Sequence, residues 1–255
     1  KIVRGGYVFQ KFSGAKLNES KRQKDEIIPD GFLLEGFKEF NGRFFMFYSI
    51  YDRPNLTEQL FVREIDFDNA NFKDLGRCET YAQTMNFSPS GRYFSVCGDT
   101  DFVVYQYPKF SNAAFGNGSN LVWASINPSQ HIFAIKGENN QIKIYKNLQE
   151  FNAFSVSFNV EAIFGGRLLA VKEKEFITFY DWETQVLVRR IDVSPSPKNV
   201  YWSENGQQVV LALEDNFYLL NFDNDQVVNY ISSKEPSDLA DKVEDEDDDG
   251  CEEAF

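Results

Sequence analysis

Four hairpins built to one plan recur along this chain, and their spacing constrains the fold more than any single segment does. Residues 93–97 pass through a polar turn at 98–101 into 102–105, and residues 131–135 pass through 137–140 into 142–145. Residues 167–171 pass through a charged turn at 172–175 into 176–180, and residues 207–213 pass through 214–216 into 217–220. The hairpins end at positions 105, 145, 180 and 220, in steps of 40, 35 and 40 residues. That period is close to the ~40–45 residues of a four-stranded propeller blade. Within each unit the apolar runs are aromatic and β-branched, as extended strands require. The run Phe176-Ile177-Thr178-Phe179-Tyr180 closes on Asp181-Trp182-Glu183-Thr184, where Asp and Thr side chains can bond nearby backbone and make a corner. Because each unit repeats the same order of strands and turns, the expected fold is all-β, a β-propeller of WD-repeat type with about five blades visible, and not a sandwich.

The flanking segments follow the same grammar more loosely. Residues 7–12 read as a strand after Gly5-Gly6, and residues 17–30, rich in Lys, Glu, Asp and Ser, read as an exposed loop. Phe32, Leu33, Leu34, Phe37 and Phe40 lead to Asn41-Gly42, a strong turn signal, and residues 44–51 then lack polar alternation, as in a strand covered on both faces. Residues 60–65 supply a further strand, and the first 77 residues fit one or two blades. Helical signals are few: residues 113–120, with two Gly and two Asn, read as a loop, and only 237–243 resembles a helical turn. The expected organisation is a propeller over 1–234 and an acidic, disordered segment over 235–255.

Charge distribution matters more than total charge. The chain has a net charge of −13, but residues 235–255 hold eleven acidic residues against the single Lys242, which leaves −3 for residues 1–234. An acidic chain without a basic stripe is a poor nucleic-acid binder. No apolar stretch reaches the ~20 residues of a membrane helix, so a soluble, cytosolic protein is expected. Cys78, Cys97 and Cys251 are odd in number and lack CxxC spacing, which favours reduced thiols over a disulfide framework or zinc site.

The search for chemistry yields no catalytic, cofactor-binding or metal-binding residue. His131 is the single histidine and sits in an apolar strand run, which excludes a two-His metal site and favours a structural role. Asp99 and Asp101 flank one hairpin turn, and Glu214 and Asp215 another; a propeller hydrolase could use such a pair, but hairpin acids usually serve the turn. Gly5-Gly6 and Gly165-Gly166 lack dinucleotide-fingerprint spacing and are better explained by backbone geometry. Trp123, Trp182 and Trp202 could form an aromatic cage, yet their similar places at strand ends favour blade packing. Arg189 and Arg190 point to opposite faces of a strand, so at most one can serve a given surface.

A family resemblance adds to this reading. Cys78-Glu79-Thr80-Tyr81-Ala82-Gln83-Thr84, Ser88-Pro89-Ser90-Gly91-Arg92, Phe164-Gly165-Gly166-Arg167, Phe179-Tyr180-Asp181-Trp182-Glu183-Thr184, Tyr201-Trp202-Ser203-Glu204-Asn205-Gly206 and Asp249-Gly250-Cys251-Glu252-Glu253-Ala254-Phe255 resemble the coatomer WD-associated region. In order and combination they look like the second propeller of the beta-prime family of COPI coat subunits, with the related alpha family as the alternative. The likeness spans about residues 78–255, while 1–77 match loosely. It implies a structural coat subunit and no enzyme: a scaffold joined to the alpha and epsilon subunits, recruited indirectly by an Arf-type GTPase. Such a protein is cytoplasmic and peripheral on Golgi membranes and COPI vesicles. The resemblance also implies a preceding propeller that holds dilysine cargo tails and further strands and a solenoid beyond Phe255. No dilysine-binding residue therefore carries over. A basic-tail peptide module stands as the second reading.

Overall fold

In the computed structural model the described residues are 32–40, 42–52, 57–69, 71–234 and 250–255. The strand expected at 7–12, the loop at 17–30, the helical turn at 237–243 and the acidic run at 244–249 lie outside them.

Strand-forming runs and turns assemble into five antiparallel sheets, each a meander in which neighbours in sequence are neighbours in space. The first holds β1 (Phe32–Phe40), β2 (Arg43–Asp52), β3 (Thr57–Asp66) and β4 (Asn71–Cys78). The second holds β5 (Thr84–Phe87), β6 (Tyr93–Cys97), β7 (Asp101–Gln106) and β8 (Ser111–Asn117). The third holds β9 (Ser119–Trp123), β10 (Phe133–Lys136), β11 (Gln141–Lys146) and β12 (Gln149–Ser155). The fourth holds β13 (Ala162–Phe164), β14 (Leu169–Lys172), β15 (Phe176–Tyr180) and β16 (Leu187–Asp192). The fifth has three strands, β17 (Asn199–Trp202), β18 (Gln208–Ala212) and β19 (Phe217–Asn221), followed by helix α1 (Asn224–Ser233).

Successive sheets pack face to face, which explains why their middle strands are apolar on both sides. Phe45, Phe47 and Val62 meet Phe94, Val96 and Tyr105 between the first and second sheets. Cys97, Phe102 and Val104 meet Leu121, Phe133 and Tyr145 between the second and third. Ile142, Ile144 and Phe154 meet Ile163, Leu169 and Tyr180 between the third and fourth. Ala170, Ile177 and Phe179 meet Val200, Val209 and Leu211 between the fourth and fifth. Neighbours Phe179 and Tyr180 thus enter different interfaces, as the period of two along a strand demands. The polar residue between them and Ile177, Thr178, is also buried and donates its hydroxyl to the Val171 carbonyl at 3.1 Å.

The repeat is visible in the irregularities as well. In each of the first four sheets the register shifts where the third strand meets the fourth, at Val62/Arg63, Val104/Tyr105, Ile144/Tyr145 and Phe179/Tyr180. A bulge at that point increases local twist and fans one sheet away from the next. The corner after β15 is built as its composition implies: the Asp181 carboxylate accepts from the amides of Glu183 and Thr184 at 3.1 and 2.8 Å and from the Thr184 hydroxyl at 2.8 Å.

Three features differ from the sequence expectation. Residues 113–120 are not a loop; they belong to β8 and β9, with Gly118 at φ +145° between them. β8 is an outermost strand with mostly exposed side chains, so Asn, Ala and Gly are tolerated where a middle strand would need bulk. Helix α1 is also unexpected: Val227, Tyr230 and Ile231 pack on the core at i, i+3 and i+4, but ten residues show that spacing only once; its start is set by Asp223, whose side chain caps the amides of Asp225 and Gln226. Third, Gly250–Phe255 folds back on the fourth sheet. Gly250 bridges Arg189 antiparallel, the Cys251 amide donates to the Val188 carbonyl at 2.7 Å, and Ala254 is buried. The segment extends the outer edge of β16 by one short partner.

Candidate interaction site at the central cavity

The first strands of four sheets converge. β5, β9, β13 and β17 together line a cavity of about 810 Å³. Each is a terminal strand of its sheet, so one backbone edge faces inward. Side chains and short bridges tie these edges together: the Ile163 amide donates to Asn120 Oδ1 at 2.8 Å, Ala124 forms a parallel bridge to Gly166, and the Ser125 amide donates to the Gly166 carbonyl at 2.9 Å.

The pair Gly165-Gly166 sits where this packing is closest. A Cβ on Gly165 would collide with the Trp123 backbone, and one on Gly166, at φ +144°, would enter the Trp202 indole. Trp182 approaches the same pair and donates its indole N–H to the Gly166 carbonyl at 3.1 Å. All three tryptophans therefore meet at the diglycine. Trp182 is buried and Trp123 donates to Ser95 Oγ at 3.1 Å, so these two are packing residues and not faces of a cation cage. Trp202 lines the cavity, and its indole N–H is buried without a hydrogen-bond partner.

The lining is cationic, against the sign of the chain as a whole. Arg167, Lys172 and Lys198 face Glu204 as the one acidic residue in the wall. Lys172 pairs with Glu161 at 3.2 Å and Lys198 with Glu214 at 2.9 Å. Arg167 instead donates to the neutral Asn224 Oδ1 at 2.7 Å, and its Nε–H is buried and unpartnered. Lys38 adds charge behind the wall, donating to Asn86 Oδ1 at 3.2 Å.

Asp101, Glu214 and His131 each have a structural partner. Asp101 accepts from the hydroxyl of Thr80, in the segment between β4 and β5, at 2.7 Å, and its carbonyl accepts from the Gly98 amide of its own turn at 2.8 Å. Glu214 is held by Lys198, and the hydrogen bond and charge of that ammonium keep its pKa below the usual carboxylate range. His131 packs edge-on to Tyr93 at 4.8 Å and lies 3.4 Å from Ser90 Oγ, between the second and third sheets. Arg190 stacks its guanidinium 3.9 Å from the Phe176 ring centre and donates to Asp192 at 3.1 Å. Among the described residues, no cluster of three or more His, Cys, Asp or Glu is placed to hold a metal ion. The cavity residues were not singled out by sequence as one site; Gly165-Gly166-Arg167 was the available signal, since a diglycine before a cation marks close backbone approach.

Consecutive twisted sheets whose first strands enclose one cavity define a β-propeller unit of the WD-repeat kind. A family model described as COPA/B second beta-propeller matches residues 58–255, and the chain belongs to that family. It is 39% identical over 183 residues to coatomer subunit beta' of Drosophila melanogaster, covering 72% of this chain and 18% of that protein. Against coatomer subunit beta'-1 of Oryza sativa subsp. japonica the identity is 40% over 167 residues, covering 65% and 18%. The chain thus spans under a fifth of the length of these curated relatives. A solved structure of Kluyveromyces lactis Hsv2 superposes with a TM-score of 0.54 over 76% of this chain and 75% of that one; at 11% identity the likeness is one of fold alone.

Proposed function

We propose that this chain is the second-propeller unit of a beta-prime-type COPI coat subunit and acts as a structural scaffold in Golgi-to-ER retrograde and intra-Golgi transport. The observation that carries this is the family match at 58–255, which covers every sheet from β3 onward. In this reading the unit is no enzyme. It docks to other coatomer subunits, alpha and epsilon among them, meets the Arf-type GTPase only indirectly, and is cytoplasmic and peripheral on Golgi membranes.

The surface supports a docking role. Tyr201, Val210 and Leu219 form one cross-strand row of the fifth sheet and Ala212 and Phe217 the next row on the same face. Tyr201, Phe217 and Leu219 are each more than half exposed. An apolar face of this kind is what a further coatomer polypeptide would cover. The dilysine reading fares worse, because the one acid in the wall, Glu204, stands with Arg167, a cation that has no carboxylate partner among the described residues. The hydrolase reading draws no support from Asp101 and Glu214, which are engaged by Thr80 and Lys198. The test is a pull-down from cytosol with the full-length subunit and with the same subunit lacking residues 58–255: recovery of alpha and epsilon subunits by the first and reduced recovery by the second is expected, and equal recovery would refute the docking role.

A further inference from the structure

Beyond the scaffold reading, we propose that the Arg167 end of the central cavity is a binding site for an acidic peptide segment of another protein, with Arg167 as the carboxylate-recognising residue and Trp202 beside it. Three observations converge there. Arg167 is the cavity cation with no carboxylate partner among the described residues, whereas Lys172 and Lys198 are each paired. Two buried N–H groups without acceptors, Arg167 Nε and Trp202 Nε1, belong to this one corner of the wall. Both are donors only, so what completes them is an acceptor. The deficit is therefore of negative or carbonyl oxygen, and an ionised carboxylate gives the strongest such bond to a guanidinium.

The remainder of the wall selects a peptide over a small anion. Val122, Ala162 and Phe164, half-buried in the wall, offer apolar surface next to the charge, and the inward edges of β5, β9, β13 and β17 offer backbone groups. About 810 Å³ accommodates several residues of extended chain, far more than one phosphate. Binding turns the guanidinium from the neutral Asn224 amide, on the exposed start of α1, toward the ligand carboxylate. Gly206 lets the Arg167 stem lie directly against its backbone, where a Cβ would stand 2.6 Å from Cδ. The exchange replaces a neutral acceptor by a charged one.

The experiment titrates the whole chain with a blocked hexaglutamate peptide, read by calorimetry and by tryptophan fluorescence, with hexalysine, a dilysine-ended peptide and inorganic phosphate as counter-probes. Hexaglutamate is expected to bind, more weakly as salt rises, and to shift the emission of Trp202. Arg167→Gln should weaken binding about tenfold or more and Trp202→Phe about threefold, while Lys198→Gln changes it by less than about twofold. Absence of binding, equal affinity in Arg167→Gln, equal binding of hexalysine, or the same response to phosphate alone would each overturn the assignment. If Arg167→Gln fails to fold by circular dichroism, Trp202→Phe and the salt dependence of the unaltered chain decide it. The outcome does not depend on the coat reading, which the pull-down tests separately.

Discussion

The ring of Phe255 lies 4.7 Å from that of Phe179, so a residue beyond helix α1 is built into the interface between the fourth and fifth sheets. Phe255 also meets Phe222 at 5.5 Å and Trp202 at 6.3 Å, and the Asp223 amide donates to the Ala254 carbonyl at 3.1 Å. The segment thereby ties β16, α1 and the fifth sheet together. Phe255→Ala should lower the unfolding free energy by about 2 kcal/mol, below the ~3–5 kcal/mol of a fully buried aromatic because the ring is only half-buried. Urea unfolding followed by tryptophan emission measures this, and an unchanged midpoint would count against the packing role.

Glycine positions separate close approach from simple turn geometry. Gly166→Ala would drive a methyl group into the Trp202 indole and force a φ of +144° on an L-residue, so a loss of about 3 kcal/mol or outright failure to fold is expected. Gly42→Ala, at φ +73° with nothing within 4 Å, should cost about 1 kcal/mol. Similar thermal shifts for the two variants would contradict the convergence of tryptophans on the diglycine.

The three thiols are free and buried. Burial pushes the Cys78 thiol up to about 12 and raises that of Cys97 as well, so neither supplies thiolate at neutral pH. Alkylation by iodoacetamide should therefore be slow in the native state and complete on unfolding. Mass spectrometry should find Cys251 modified first, because its short segment can open without disturbing a whole sheet. Early labelling of Cys78 would contradict the packing between the first two sheets.

His131 gives the chain a defined acid sensitivity. Burial, with the Arg92 guanidinium as a second cause, pulls its pKa below the ordinary imidazole value. The unfolded chain then takes up the proton more readily than the folded one, so the neutral ring's contribution is complete above about pH 6.5 and is lost as pH falls through the lower folded value. His131→Gln should flatten this part of the stability profile. An identical acid profile in the variant would show that other groups set it.

What the sequence disclosed follows from burial. β6, β7, β14 and β15 are covered on both faces, so runs such as Phe176-Ile177-Thr178-Phe179-Tyr180 announce themselves. Asp181 and Thr184 announced their corner through side chains that bond the adjacent backbone. The outer strand β8 escaped notice because exposure relaxes its composition: it carries Asn112, Ala113 and Gly116 and still pairs with β7 along its length. Helix α1 escaped because its apolar stripe, Val227, Tyr230 and Ile231, is a single turn long. The cavity could not be assembled from sequence, since Asn86, Trp123, Arg167 and Trp202 come from four different units, and only the packing angle between sheets brings their strands to one place.

That convergence of first strands is most directly tested by paramagnetic relaxation from a nitroxide at Thr84→Cys, an exposed position in the cavity wall, in a chain whose native thiols are buried. Amide signals of β9, β13 and β17 should broaden more than those of the outer strands β12 and β16. Equal or stronger broadening of β12 and β16 would place β5 away from the other first strands and contradict a propeller arrangement.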